Sequence, residues 1–327
     1  MKKKYLYIMF VVLVIISIAI SLGVGTKFYN PLEIFEALAT AEPRGVYNLV
    51  TKIRIPRVLL AAFIGAGLAV SGALFQCALK NPLVSPDVIG VNHGAVLGAS
   101  LLIVFFPKAP SYITFITTFI FGMLTFFIVY LINKKRGFNP IWIALSGMAI
   151  GYLIDAFNQV LLVNASRQAL NLNVALAWIK GSLYGKSYAD LLIATIVITA
   201  LIVIAIILAK KMDILYLGDE QSIALGENPV KFRKTLIFIG VLINSVVVAI
   251  AGSIGFIGVI APQIAKRLFG GKHINIVSGS ALIGAILIIV ADALARGIKP
   301  PIELPISVFT AIIGAPYFFY LIKKEMS

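Results

Sequence analysis

The sequence predicts an all-α, polytopic membrane protein of about ten spans, and three features carry that reading. Of 327 residues, 60% are hydrophobic and only 13% charged, against about 25% charged in a typical soluble domain. The apolar residues gather in runs that approach the ~20 positions a helix needs to cross ~30 Å of hydrocarbon. Charges, glycines and prolines separate these runs, and no segment between them is long and polar enough to form a soluble domain. Residues 1–327 therefore read as a single transmembrane domain, and any ATPase or receptor that works with it belongs to another chain.

Taken in order, the spans are Tyr5–Val24, Arg57–Leu79, Val91–Phe106, Ser111–Ile132, Ile141–Val163, Tyr188–Ala209, Thr235–Ile254, Phe256–Leu268, Ile274–Ala293 and Ile306–Ile322. The first follows Met1-Lys2-Lys3-Lys4, yet its apolar run exceeds the ~7–15 residues of a secretory h-region, so an uncleaved helix is expected. Ten spans place both termini on one side. With that side cytoplasmic, most of the 28 basic residues fall inside, among them Lys134, Lys135, Arg136, Lys210, Lys211, Lys231, Arg233 and Lys234. Lys27, Arg44, Lys52, Arg54 and Arg57 crowd one extended outer loop after the first span. The bias predicts cytoplasmic termini and accounts for much of the net charge of +15, so nucleic acid is not an expected partner. The one cysteine, Cys77, cannot form an internal disulfide and reads as packing.

Polar residues inside the spans are few. Asp155 and Asp292 fit either a pathway or an interfacial carboxylate bonded to a neighbouring helix. Gln76, Asn158 and Gln159 suit a wet path or interhelical hydrogen bonds equally. The second span is rich in small residues, including Gly65, Gly67, Ser71 and Gly72, which let a neighbour approach closely. It breaks at Asn81-Pro82-Leu83-Val84-Ser85-Pro86, where two prolines remove donors and disfavour helix before them. Non-helical backbone at membrane depth must line protein or a water-filled cavity, so this segment reads as a gate or pathway lining. Gly72, Pro82 and His93 recur 180 positions later as Gly252, Pro262 and His273, an echo compatible with inverted repeats. Neither histidine has a partner at metal-ligand spacing.

Catalytic constellations are missing from the sequence. It has no His-Glu-x-x-His and no Gly-x-Ser-x-Gly; Gly185-Lys186-Ser187 lacks the upstream glycine of a phosphate-binding loop, since Lys180 stands there. Between the sixth and seventh spans, a cytoplasmic loop over about 213–234 reads as two short helices. One covers Asp219–Leu225, with acids in its first turn and Gly226 as terminator, and a second follows Asn228-Pro229. Such a knob suits docking by a partner protein or a solvated connector.

Several stretches together resemble the iron-siderophore and cobalamin class of ATP-binding-cassette importer permeases. These are Arg54-Ile55-Pro56-Arg57, Gln76, Asn81-Pro82-Leu83-Val84-Ser85-Pro86, Leu217-Gly218-Asp219-Glu220 with Leu225-Gly226, Gly255-Phe256-Ile257-Gly258 through Ala261-Pro262-Gln263, Ala291-Asp292 with Arg296, Glu303-Leu304-Pro305, and Gly314-Ala315-Pro316-Tyr317-Phe318. The match runs in order from about residue 50 to the C-terminus. It implies an inverted-repeat permease of ten spans in a bacterial plasma (inner) membrane. Its implied partners are a second permease subunit, like or unlike, two cytoplasmic ATPase subunits and an extracellular binding protein, with a metal chelate as cargo.

By the same resemblance, Leu217, Gly218, Asp219, Glu220, Leu225 and Gly226 form the ATPase-coupling element. Arg54, Arg57 and Arg296 match outer arginines that engage carboxylates of the binding protein. Gln76, Asn81, Pro82 and Leu83 match pathway and gate positions, and a second gate segment falls at Phe138-Asn139, where relatives carry a more polar, small-residue sequence. The implied cargo is a ferric siderophore, with heme or a corrinoid as lesser options, moved by alternating access. The chain itself is expected to be no enzyme and to hold no cofactor or metal, ATP and Mg being used by the partner ATPase. The alternative is a secondary transporter driven by an ion gradient, which would need a titratable midplane residue; Asp155 and Asp292, the carboxylates to neutralise in testing it, lie nearer the outer end of their spans than the middle.

Overall fold

The computed structural model describes residues 2–40, 45–135, 137–165, 178–300 and 302–325. Arg44 and Arg136, which entered the charge bias, lie outside these. Helices occupy all ten predicted spans: α1 (Lys2–Gly23), α4 (Ile55–Leu79), α5 (Val91–Phe105), α6 (Ser111–Lys134), α7 (Pro140–Ala165), α8 (Tyr188–Leu217), α10 (Pro229–Ala251), α11 (Ile257–Phe269), α12 (His273–Gly297) and α13 (Ile306–Glu325). Among the described residues, seven are long and apolar enough to cross a membrane, α5 and Ile306–Phe319 being shorter apolar helices.

Three boundaries differ from the sequence reading. The long outer loop after α1 contains helices: α2 (Pro31–Thr40) and α3 (Gly45–Leu49) precede a π-helical turn, Val50–Arg54, that leads into α4. Asn30 and Glu33 start α2 reciprocally, the Glu33 N–H donating to Asn30 Oδ1 (2.9 Å) and the Asn30 N–H to Glu33 Oε2 (3.1 Å), with Pro31 at the first helical position. Helix α8 continues to Leu217 rather than ending at Ala209; its 30 residues span about 45 Å and so overrun the hydrocarbon. Finally, the helix that follows Asn228-Pro229 is not a separate short one. Asn228 caps it by accepting the Lys231 N–H (2.9 Å), and it runs unbroken as α10 into the membrane.

Helices α4, α10 and α12 form the centre, with α1, α6, α7 and α8 at the periphery. Peripheral apolar side chains such as Ile15, Leu124, Leu153 and Ile207 point outward, which a bilayer solvates and water would not. The centre closes through glycine. A Cβ at Gly65 would lie 2.1 Å from the Gly284 carbonyl oxygen, and one at Gly72 would lie 1.9 Å from that of Gly258, so backbones of α12 and α11 rest directly on α4. Gly65→Ala must push α4 and α12 apart, an overpacking cost of about 1–3 kcal/mol. We expect a lower thermal midpoint for the detergent-solubilised protein, whereas Gly255→Ala, with no atom within 4 Å of the added carbon, leaves it in place.

The 180-residue echo does not mark equivalent places. Gly72 lies mid-helix while Gly252 ends α10 at φ +75°; Pro82 lies in a loop and Pro262 inside α11; His93 is within α5 and His273 opens α12.

Candidate functional site

The chain after α4 is shaped by the sequence Lys80-Asn81-Pro82. Helix α4 ends with the Lys80 N–H on the Cys77 carbonyl (3.3 Å) and the Asn81 N–H on that of Gln76 (3.2 Å), which turns Lys80 left-handed at φ 50°. That position usually holds glycine, and a lysine there costs about 1–2 kcal/mol. Asn81 Oδ1 accepts the Leu83 N–H (2.9 Å) and shapes the turn, and Pro86–Ile89 forms one turn of 3-10 helix before α5.

Gln76 fastens this segment from below. Its Nε2 donates to the carbonyls of Gly258 (3.1 Å) and Val259 (3.2 Å) on α11, and its Oε1 accepts from Gln263 Nε2 (2.6 Å), which also reaches the Pro82 carbonyl (3.3 Å). Gln76, Asn81 and Pro82 together border a cavity of about 40 Å³, with Lys80, Tyr216, Gln263 and Lys266. Leu83 is half-buried beside it. The predicted first gate segment is thus one assembly, clamped between α4 and α11.

The second gate segment is different. Phe138 is only 2% exposed, its ring 5.1 Å from that of Tyr130 and under Lys234 Nζ at 4.3 Å. It is a buried anchor rather than a lining group, because an aromatic ring between two packed neighbours has no face left for a path. Asn139 is exposed and starts α7, its Oδ1 accepting the Ile141 N–H (2.9 Å).

At the end of the bundle where α8 stops, α9 (Asp219–Ala224) follows Gly218, whose φ of 134° strains any residue with a side chain. Gly226, at φ +80°, closes the turn, its N–H on the Ile223 carbonyl (2.9 Å). Ser222 is buried and bonds back to Gly218 (2.6 Å) and Ile214 (3.1 Å), so the opposite face looks outward. Leu217, Ile223 and Leu225 are more than half exposed, with Glu220 exposed among them. Asp219 faces inward, accepting from Lys80 Nζ (2.6 Å) and Arg233 Nη2 (2.9 Å). Desolvation alone would raise its pKa, but the bonds from Lys80 and Arg233 outweigh it and hold the carboxyl below the usual range. The pair's contribution is therefore complete above the ordinary carboxylate value of about 3.9 and fades only as pH falls through the depressed folded value.

At the other end of the bundle, Arg54, Arg57 and Arg296 do lie together, but no guanidinium is free. All three residues are at most 5% exposed, which corrects the expectation that these outer arginines face out. Arg57 Nε and Nη2 donate to Asp292 Oδ1 (3.0 and 2.8 Å), and Nη1 and Nη2 form a fork with Glu303 (2.8 Å each). Arg296 Nε meets Asp292 Oδ2 (3.0 Å), and its Nη2 meets Ser21 Oγ (2.8 Å). Arg54 serves the carbonyls of Leu22, Gly23 and Lys27. The cause is the position of Asp292, fully buried on α12, which draws both arginines inward. A cavity of about 130 Å³ remains beside Arg54, Arg57, Arg296 and Glu303. Asp155 likewise has a neighbouring-helix partner, His93 Nδ1 at 2.8 Å.

The model of the FecCD transport family matches residues 13–324. The chain belongs to the FecCD transport family. This FecCD chain is 39% identical over 318 residues to the Fe(3+)-citrate import system permease protein YfmE of Bacillus subtilis (strain 168), covering 97% of this chain and 94% of that one. It is 33% identical over 324 residues to the "Probable heme-iron transport system permease protein IsdF" of Staphylococcus aureus (strain Newman), covering 99% and 97%. Among solved structures, a transporter described as of the metal-chelate ABC type, in an inward-facing conformation, superposes at a TM-score of 0.86 with 30% identity, covering 98% of this chain and 99% of that one. The all-helical permease fold expected of the FecCD chain is therefore the one observed, and an ABC importer permease for iron chelates is the function its relatives support.

Sequence reasoning missed two participants. Arg233 stood only in the charge count, although it interrupts the buried stripe Pro229, Phe232, Leu236, Ile237 and Gly240, and a lone charge in such a stripe needs a partner. Glu303 was quoted as part of a motif but not as the group that occupies Arg57.

Proposed function

We propose that this chain is the membrane subunit of an importer that carries a ferric chelate of the siderophore type into the cytoplasm. The observation that carries the reading is the outward-facing apolar face of α9, fixed to the end of α4 by Asp219 and Lys80. A surface knob bonded to a gate segment is what a permease needs if a separate ATPase is to move it. Leu217, Ile223 and Leu225 would enter a cleft on one of two ATPase subunits, with Glu220 at the rim. A second permease, a like or unlike copy, would complete the path along Gln76, Asn81, Pro82 and Leu83, and the termini would be cytoplasmic.

Docking of an extracellular binding protein at Arg54, Arg57 and Arg296 takes a modified form. Arg57 already holds Glu303, which is partly exposed and borders the cavity, so an incoming carboxylate would exchange with Glu303 rather than meet a free cation. The likeness to a ferric citrate permease makes ferric citrate the first cargo to try, before hydroxamate and catecholate chelates and heme.

The test is uptake of radioactive iron in these forms by vesicles carrying the chain with its ATPase and binding protein. Accumulation of a ferric chelate that requires both ATP and the binding protein is expected. Heme accumulation alone would reassign the cargo. Uptake that survives loss of the ATPase and collapses with the proton gradient would overturn the importer reading.

A further inference from the structure

Arg233 is 2% exposed and its guanidinium reaches three separate parts of the chain. Nε donates to the Ala78 carbonyl at the end of α4 (3.0 Å), Nη1 to the Phe138 carbonyl before α7 (3.4 Å), and Nη2 to both Asp219 oxygens at the start of α9 (2.9 and 3.1 Å). The first acceptor is free for a reason written in the sequence. The residue four positions after Ala78 is Pro82, which has no N–H to return to it.

The two carbonyl contacts also fall beside strained backbone. Among the described residues, Lys80, Phe138 and Phe256 are the non-glycine residues at positive φ; Lys80 (50°) immediately precedes the gate segment at Asn81, and Phe138 (56°) is the buried anchor before α7. Such conformations persist only where the surroundings hold them. Lys80 is held by its own bond to Asp219 (2.6 Å), and Phe138 by the Arg233 bond and the neighbouring Lys234.

We propose that Arg233 is the positioning residue that makes α9, the gate segment after α4 and the Phe138 anchor before α7 move as one unit. The inference rests on the importer reading above. Displacing α9 must either break the Asp219 pair or carry Arg233 with it, and with Arg233 go the end of α4 and the backbone at Phe138. A planar guanidinium with donors fixed in direction can relay such a displacement to three acceptors at once; a lysine in its place keeps charge but only a point contact.

The experiment uses the assembled transporter of this chain, its ATPase and its binding protein, reconstituted in vesicles, with iron uptake and ATP hydrolysis measured on the same sample. Arg233→Gln is expected to lower uptake per ATP hydrolysed at least tenfold, Arg233→Lys to fall between it and the parent. Because Arg233→Gln empties a buried site, Asp219→Asn serves as the second variant. The Asp219 side chain is about half exposed, and the change removes its charge from the pairs with Lys80 and Arg233 while leaving both carbonyl bonds, so a loss of uptake per ATP in the same direction is expected. A second readout is thiol labelling at Asn81→Cys, which should change on vanadate trapping in the parent and not in Arg233→Gln. Parent-like uptake per ATP in either variant would overturn the proposal, as would uptake and hydrolysis falling together with folded yield, the mark of a structural role. A parent assembly without ATP-dependent uptake would instead overturn the importer reading, and the proposal with it.

Discussion

Replacing Asp292 with alanine is expected to lower stability by about 3–5 kcal/mol, the usual cost of removing one partner from a buried ion pair. Asp292 is fully buried, and its two oxygens accept from Arg57 and Arg296. Alanine would leave two buried guanidiniums facing each other with only Glu303, Ser21 and backbone carbonyls in support. The damage should concentrate where α1, α4 and α12 meet, because Arg296 also holds the Val24 carbonyl at the end of α1 (2.7 Å).

A thermal melt of the detergent-solubilised protein checks this, together with the triple change Arg57→Met, Asp292→Leu, Arg296→Met. Apolar residues of similar volume can replace a buried charge cluster at little cost, so the triple variant should recover most of the midpoint lost by Asp292→Ala. If the single variant melts with the parent, the three charges are not what holds this end together. Recovery of stability in the triple variant without recovery of uptake would separate the arginines' structural part from any part in docking.

What the sequence made legible follows from the range of each interaction. Apolar run length is local, and helices stand in all ten predicted spans; α9 was expected at Asp219–Leu225 and found at Asp219–Ala224, because acids, glycine and helix length also act locally. The capping pair Asn30 and Glu33 is equally local, three residues apart at the start of α2. Arg57 with Asp292 lies 235 positions apart, Gln76 with Gln263 187, and Arg233 with Phe138 95. Nothing in one sequence pairs residues over such distances, so the arginines were expected to face out and Phe138 to face a path. Their burial follows from helix packing, and that packing depends on glycine contacts such as Gly65 with Gly284, whose partners spacing alone does not identify.

The second large effect is expected on the face that carries α9. Leu217→Asp combined with Leu225→Asp should abolish at least nine tenths of uptake and prevent co-purification of the ATPase, while leaving the melt of the isolated chain within the scatter expected of surface changes, about 0.5 kcal/mol. Both leucines are more than half exposed, so charge there removes no buried contact of this chain. In a cleft of a partner, the same two carboxylates would be desolvated without counter-charges, a cost of several kcal/mol that outweighs what the leucines contribute by burial. Glu220, already on that face, adds repulsion. Aspartate at Tyr184, exposed on the predicted outer side, is the control and should leave ATPase binding intact. An assembly that still forms and transports with both leucines replaced would mean that α9 does not face the ATPase. The Asp219 to Arg233 bond would then be a structural clasp, and the drive to the gates would have to enter through another surface.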